Sequence, residues 1–128
     1  MRVAIAGLMI LFAALAAGLA GTFKGNYSGS AGASGEIVVS LAQAASGEWK
    51  AEVTFMLNGD EVKGKMTSVA VEGVKVKLVY QFDVQGIVLE STATGELKGT
   101  TIEGTYSTKA VADGSGVDEG TWKAVQAQ

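Results

Sequence analysis

The chain has 128 residues, a formal net charge of −3, and no cysteine, histidine or proline. Its length suits one domain. The composition excludes disulfides and thiolate metal sites, removes the commonest general base and metal ligand, and leaves nothing that would interrupt a strand ladder.

Arg2 is the only arginine, and an uncharged apolar run, Val3–Ala17, follows it, ending in Gly18-Leu19-Ala20. A positive charge, an apolar stretch and a small-x-small exit read as a secretory signal peptide over residues 1–20, cleaved after Ala20. An uncleaved anchor helix is the alternative, although the run falls short of the roughly 20 residues that a membrane span takes. Residues 21–128 form the expected mature domain, with nine lysines against thirteen acidic residues, a net charge of −4. That balance argues against nucleic-acid binding, which concentrates lysine and arginine in a basic patch. The expected location is secreted or periplasmic, with the signal segment as the membrane-directed part.

Beyond Ala20 the apolar residues recur with a period of two. Trp49, Ala51, Val53, Phe55 and Leu57 alternate with Glu48, Lys50, Glu52 and Thr54; Val74–Val84 alternates in the same way. Half-buried strands produce this pattern, because successive side chains leave opposite faces. Eight strands are predicted, near 22–30, 35–43, 48–57, 60–71, 74–84, 87–95, 99–109 and 118–126. Asn58-Gly59 supplies the positive φ angles of a tight hairpin. Ala31–Gly35, Glu72-Gly73, Gln85-Gly86 and Gly99-Thr100 are further reversals, and Asp113–Asp118 reads as a longer hairpin loop.

No connection is long enough for a crossover helix, so neighbouring strands should pair antiparallel. The predicted fold is all-β: an eight-stranded antiparallel up-and-down barrel, lipocalin-like, after an N-terminal signal helix. A β-sandwich is the alternative. Alternation by itself leaves open which face is apolar, and outer-membrane barrels turn that face to lipid. Here the aromatics lie mid-strand rather than in girdles at both strand ends, which favours an apolar interior.

Two recurrences stand out. Phe23-Lys24-Gly25, Val62-Lys63-Gly64 and Leu97-Lys98-Gly99 repeat a triplet, expected to mark barrel corners with the lysine outside. Gly47–Ala51 (GEWKA) is echoed by Gly120–Ala124 (GTWKA), each tryptophan facing in. With Tyr27 and Tyr106, each two residues after a glycine, these rings suggest one inner aromatic belt. Catalytic sets are not found: no Ser–His or Cys–His arrangement exists, and the carboxylates alternate with lysines on solvent faces. The chain is therefore expected not to be an enzyme and to need no cofactor or metal.

Gly25–Gly29 (GNYSG), Val62–Gly64 (VKG), Gly95–Gly99 (GELKG), Ile102–Thr105 (IEGT) and Gly120–Ala124 (GTWKA) together resemble a type of small secreted bacterial β-barrel, loosely lipocalin-like. The Gly-Thr-Trp and Gly-Thr-Tyr pieces are also similar to avidin strands. The polar biotin-binding set of avidins has no counterpart here, so biotin binding is not implied.

The leading expectation is a barrel that binds a small apolar or amphipathic molecule in its lumen, lined by Trp49, Phe55, Tyr80, Phe82, Tyr106 and Trp122. The alternative is a non-catalytic interaction module, such as an inhibitor of a secreted hydrolase or an envelope adaptor. That module would present the loops Gly29–Glu36 and Ala112–Glu119 to a protein partner.

Overall fold

The computed structural model describes residues 17–127. Residues 1–16, most of the expected signal helix, lie outside the described residues. Of that predicted helix the described residues contain only a 3-10 turn, Ala17–Leu19. Leu19 is buried in the hydrophobic core.

Among the described residues the period-two segments form nine antiparallel strands: β1 (Gly21–Gly29), β2 (Ser34–Gln43), β3 (Trp49–Leu57), β4 (Asp60–Lys63), β5 (Lys65–Glu72), β6 (Lys75–Val84), β7 (Ile87–Lys98), β8 (Thr101–Ala110) and β9 (Gly116–Gln126). They make one sheet in the order β4–β3–β2–β1–β9–β8–β7–β6–β5, every pair antiparallel. The result is a nearly closed barrel rather than a sandwich.

The strand count corrects the predicted eight. The segment expected as one strand over 60–71 divides at Gly64. Its first part pairs with β3 and its second with β6, so this chain segment bridges the two sides of the sheet. Gly64 N–H donates to the Val53 carbonyl at 2.8 Å. A Cβ on Gly64 would stand 2.7 Å from the Tyr80 ring, so only glycine lets the chain cross here against that side chain. A register shift between Met66 and Ser68 adds a bulge just beyond the crossing, and bulges bend and twist a strand.

The hairpins follow the predicted turn chemistry. Asn58-Gly59 and Gln85-Gly86 both have positive φ at each residue, 53° and 86°, then 52° and 85°. This is the type I′ pattern, whose twist matches the flanking strands. These two turns, with the 30–33 and 111–115 connections, mark the upper end of the barrel. The turns at 73–74 and 99–100, the 44–48 connection and both described termini mark the lower end.

The apolar face points inward. Val53 and Phe55 are buried, whereas Lys50, Glu52, Lys75 and Lys77 are exposed on the outer surface. The triplets are not equivalent corners. Gly64 is the crossing and Gly99 a tight turn, but Gly25 sits mid-strand opposite Ile37 and Ala124.

Candidate functional site

The lumen is packed unevenly. Phe23, Val39, Val53, Leu78 and Ile102 are at most 1 % exposed and fill its middle and lower part. Toward the upper end a cavity of about 210 Å³ remains. The pairing shows why. Large side chains there have small lateral neighbours: Tyr106 lies between Ala93 and Gly120, and Ser91 between Tyr80 and Thr108. The small residues leave volume that the rings do not refill.

Five of the six residues expected to line the lumen do line this cavity: Phe55, Tyr80, Phe82, Tyr106 and Trp122. Trp49 does not. It begins β3 opposite Gln43, at the lower end, where it is partly buried against the core. The GEWKA and GTWKA echo therefore joins two inward tryptophans at different heights. The antiparallel sense explains this: Trp49 starts a rising strand, whereas Trp122 lies well inside a descending one.

Tyr27 completes the aromatic set. Its ring meets Phe55 at 5.9 Å and 89°, and Tyr106 at 5.9 Å and 82°. Phe55 meets Phe82 at 4.9 Å and 79°, and Tyr80 at 6.1 Å. These are edge-to-face and tilted contacts, the geometries that aromatic quadrupoles favour. The belt is continuous from β1 across β3 to β6, with Tyr106 joined through Tyr27.

Trp122 is held from the side. Its Nε1–H donates to the Thr94 carbonyl at 3.1 Å, reaching over β8 to β7. That reach is possible because its lateral neighbours are Gly104 and, beyond it, Gly95. A Cβ on Gly95 would stand 2.8 Å from the Trp122 ring.

The polar groups of the site are paired. Ser91 Oγ and Thr108 Oγ1 lie 2.6 Å apart and are both buried. The Tyr27 hydroxyl donates to the Met56 carbonyl. The Tyr106 hydroxyl donates to Asp118 Oδ2 at 2.9 Å, and Ala31 N–H donates to Asp118 Oδ1 at 3.0 Å. Among the described residues no buried side-chain polar atom lacks a partner.

Burial raises all three phenols. Tyr80 is pushed up to about 12, chiefly by burial, with the neighbouring Ser91 hydroxyl acting in the opposite direction. Tyr106 is raised by burial, then by its hydrogen bond to Asp118 and that residue's charge. Tyr27 is raised by burial and by the charge of Asp118. All three are protonated near neutral pH and serve as hydrogen-bonding groups. Among the described residues no group of three or more acidic side chains is placed to hold a metal ion.

Asp118 escaped the sequence reading as a site residue: it stands where the Asp113–Asp118 loop meets the predicted strand 118–126. β9 in fact begins at Gly116. The signal was present in the parity: Asp118 lies two and four residues before Gly120 and Trp122, on the inward set.

No protein-family model matches the chain, and no curated protein matches it. Among solved structures, that of EF1p2_mFAP2b bound to DFHBI is similar in fold, with a TM-score of 0.67 over 89 % of this chain and 97 % of that chain. The two sequences are 15 % identical, a likeness of architecture.

Proposed function

We propose that this protein is an exported, non-catalytic barrel that holds a small apolar or amphipathic molecule in the upper part of its lumen. The observation that carries the reading is the cavity of about 210 Å³ inside an otherwise filled barrel. It is larger than the ~150 Å³ apolar cavity that takes up benzene in an engineered protein. It is smaller than the ~300–1,000 Å³ of drug-sized sites. A molecule of one or two rings, or a short aliphatic chain, matches it. The similarity to a barrel whose structure contains DFHBI supports the idea that this architecture can accommodate a small molecule. The signal-like segment over residues 1–20 supports export to the periplasm or beyond. The reading requires no cofactor.

The test is a fluorescence titration of the purified chain with naphthalene, DFHBI and a medium-chain fatty acid, repeated on Ala93→Leu. Ala93 lines the cavity, so the larger side chain should occupy it. The expected result is saturable binding of at least one probe, lost in the variant while the near-ultraviolet circular dichroism is retained. Absence of saturable binding across the panel, or binding that Ala93→Leu leaves unchanged, overturns the reading.

One observation favours the interaction-module alternative. Ile87, Val88 and Val111 are 57 %, 41 % and 44 % exposed at the upper end, beside the 111–115 loop. A protein partner seated on this rim would bury them, and charged replacements at all three positions would abolish its capture.

A further inference from the structure

Among the described residues, Asp118 is the only charged side chain lining the cavity. It is half-buried, and two donors fix its direction: the Tyr106 hydroxyl on one oxygen and the Ala31 amide on the other. A carboxylate offers about four acceptor sites, so capacity for a further donor remains. A carboxylate held beside an apolar space also carries a desolvation cost that an incoming cation offsets.

The surroundings have the same sign. All four aspartates of the chain lie toward the upper end: Asp60 after the Asn58-Gly59 turn, Asp83 before Gln85-Gly86, Asp113 in the 111–115 loop, and Asp118. The lower connections are mixed in sign, with Lys50, Lys75 and Lys98 beside Glu48 and Glu72. Lys109, near the upper end, is paired with Glu90 at 3.7 Å. A cleft rimmed by one sign of charge concentrates ligands of the opposite sign. Behind the carboxylate stands the aromatic belt, and ring faces attract cations, most strongly where water is excluded.

We infer that the ligand of this lumen is an organic cation, its apolar body within the aromatic belt and its ammonium group at the Asp118 carboxylate. This rests on the reading of the lumen as a small-molecule site. A ligand anion would meet the same carboxylate, with no basic side chain among the described residues lining the cavity to receive it.

Three probes of similar size separate the cases: phenyltrimethylammonium, its neutral isostere tert-butylbenzene, and 4-tert-butylbenzoate. Each is titrated calorimetrically into the purified chain and into Asp118→Asn, at low and high salt. The cation should bind about ten-fold or more tightly than the isostere, a difference within the range of one desolvated cation–π and carboxylate contact. Asp118→Asn should reduce that preference to about two-fold or less, and added salt should weaken the cation alone through screening of the rim. If tert-butylbenzene or the benzoate binds as tightly as the cation, the inference falls and the lumen remains a ligand site. If none of the three binds, the inference falls, and the titration with naphthalene, DFHBI and the fatty acid decides the lumen reading. Should Asp118→Asn lose its near-ultraviolet circular dichroism, the ranking of the three probes and the salt dependence of the unaltered chain decide.

Discussion

Replacing Gly104 by alanine should cost this barrel more than almost any other single methyl group added to it. Gly104 lies mid-strand, opposite Gly95 on one side and Trp122 on the other. A Cβ there would stand 1.7 Å from the Thr94 carbonyl oxygen and 2.6 Å from the Gly95 Cα, against 3.4 Å or more for an ordinary contact. Both obstacles are main chain, so no side chain can rotate away. Relief requires β7 and β8 to part by about 1.5 Å locally, which carries hydrogen bonds of ~2.9 Å beyond their useful range. One or two ladder bonds at ~1 kcal/mol each, with ~1–3 kcal/mol of overpacking strain, give a loss of about 2–5 kcal/mol. For a domain of this size each kcal/mol lowers Tm by roughly 4 °C or more. Gly116→Ala is the control, because nothing lies within 4 Å of its added Cβ; its stability should change by less than ~1 kcal/mol. Urea unfolding followed by tryptophan fluorescence reads both. A Gly104→Ala barrel within ~1 kcal/mol of the parent would refute the close-approach reasoning. So would a Gly116→Ala loss of equal size.

Other consequences can be checked separately. Trp122 lines the cavity and Trp49 does not, so a lumen ligand should change the emission of Trp49→Phe and leave that of Trp122→Phe nearly unaltered; the reverse pattern would place the ligand elsewhere. Ser91→Ala and Thr108→Val should each cost about 1–2 kcal/mol by stranding a buried hydroxyl, while the double variant costs less than their sum; strict additivity in a double-mutant cycle would contradict the 2.6 Å pairing. The three phenols titrate above the ordinary value of 10.0 in the folded barrel. Their protons are thus held more tightly folded than unfolded, so this contribution is complete below pH 10 and is lost as pH rises through the folded-state values. Urea midpoints should therefore fall from about pH 10 upward, with phenolate absorbance lagging behind that of the unfolded chain. Phe23→Ala, at a side chain with 0 % exposure, should cost about 3–5 kcal/mol.

Much of the fold was legible in local signals. A period of two declares a strand and assigns its faces before any partner is known, so the inward set of Val53, Phe55, Leu78, Ile102 and Trp122 follows from parity. Asn58, Gly59 and Gly86 carry turn geometry in the residues themselves, since glycine and asparagine adopt positive φ at low cost; Gln85 takes its positive φ from the turn that Gly86 permits. The aromatic belt was visible for the same reason, as inward parity joined to ring type.

Height along the barrel was decided only in three dimensions. It depends on register, and register is set by which residue of one strand meets which residue of the next. That is why Trp49 and Trp122, alike in sequence, part company, and why Asp118 meets Tyr106 and Ala31 beside the cavity. The division at Gly64 is of the same kind. The triplet ending at Gly64 suggests a corner, and the inward parity passes from Val62 and Met66 to Val69 and Val71 across the Met66/Ser68 bulge, but no local pattern says that one end belongs to β3 and the other to β6. Whether large and small side chains close the lumen or leave a space is likewise a sum over neighbouring strands. The sequence by itself determined the strands, their faces and the ring types they carry, because these are properties of successive residues. The tertiary structure decided the crossing, the cavity and its single charged wall, because these arise only where distant segments pack against one another.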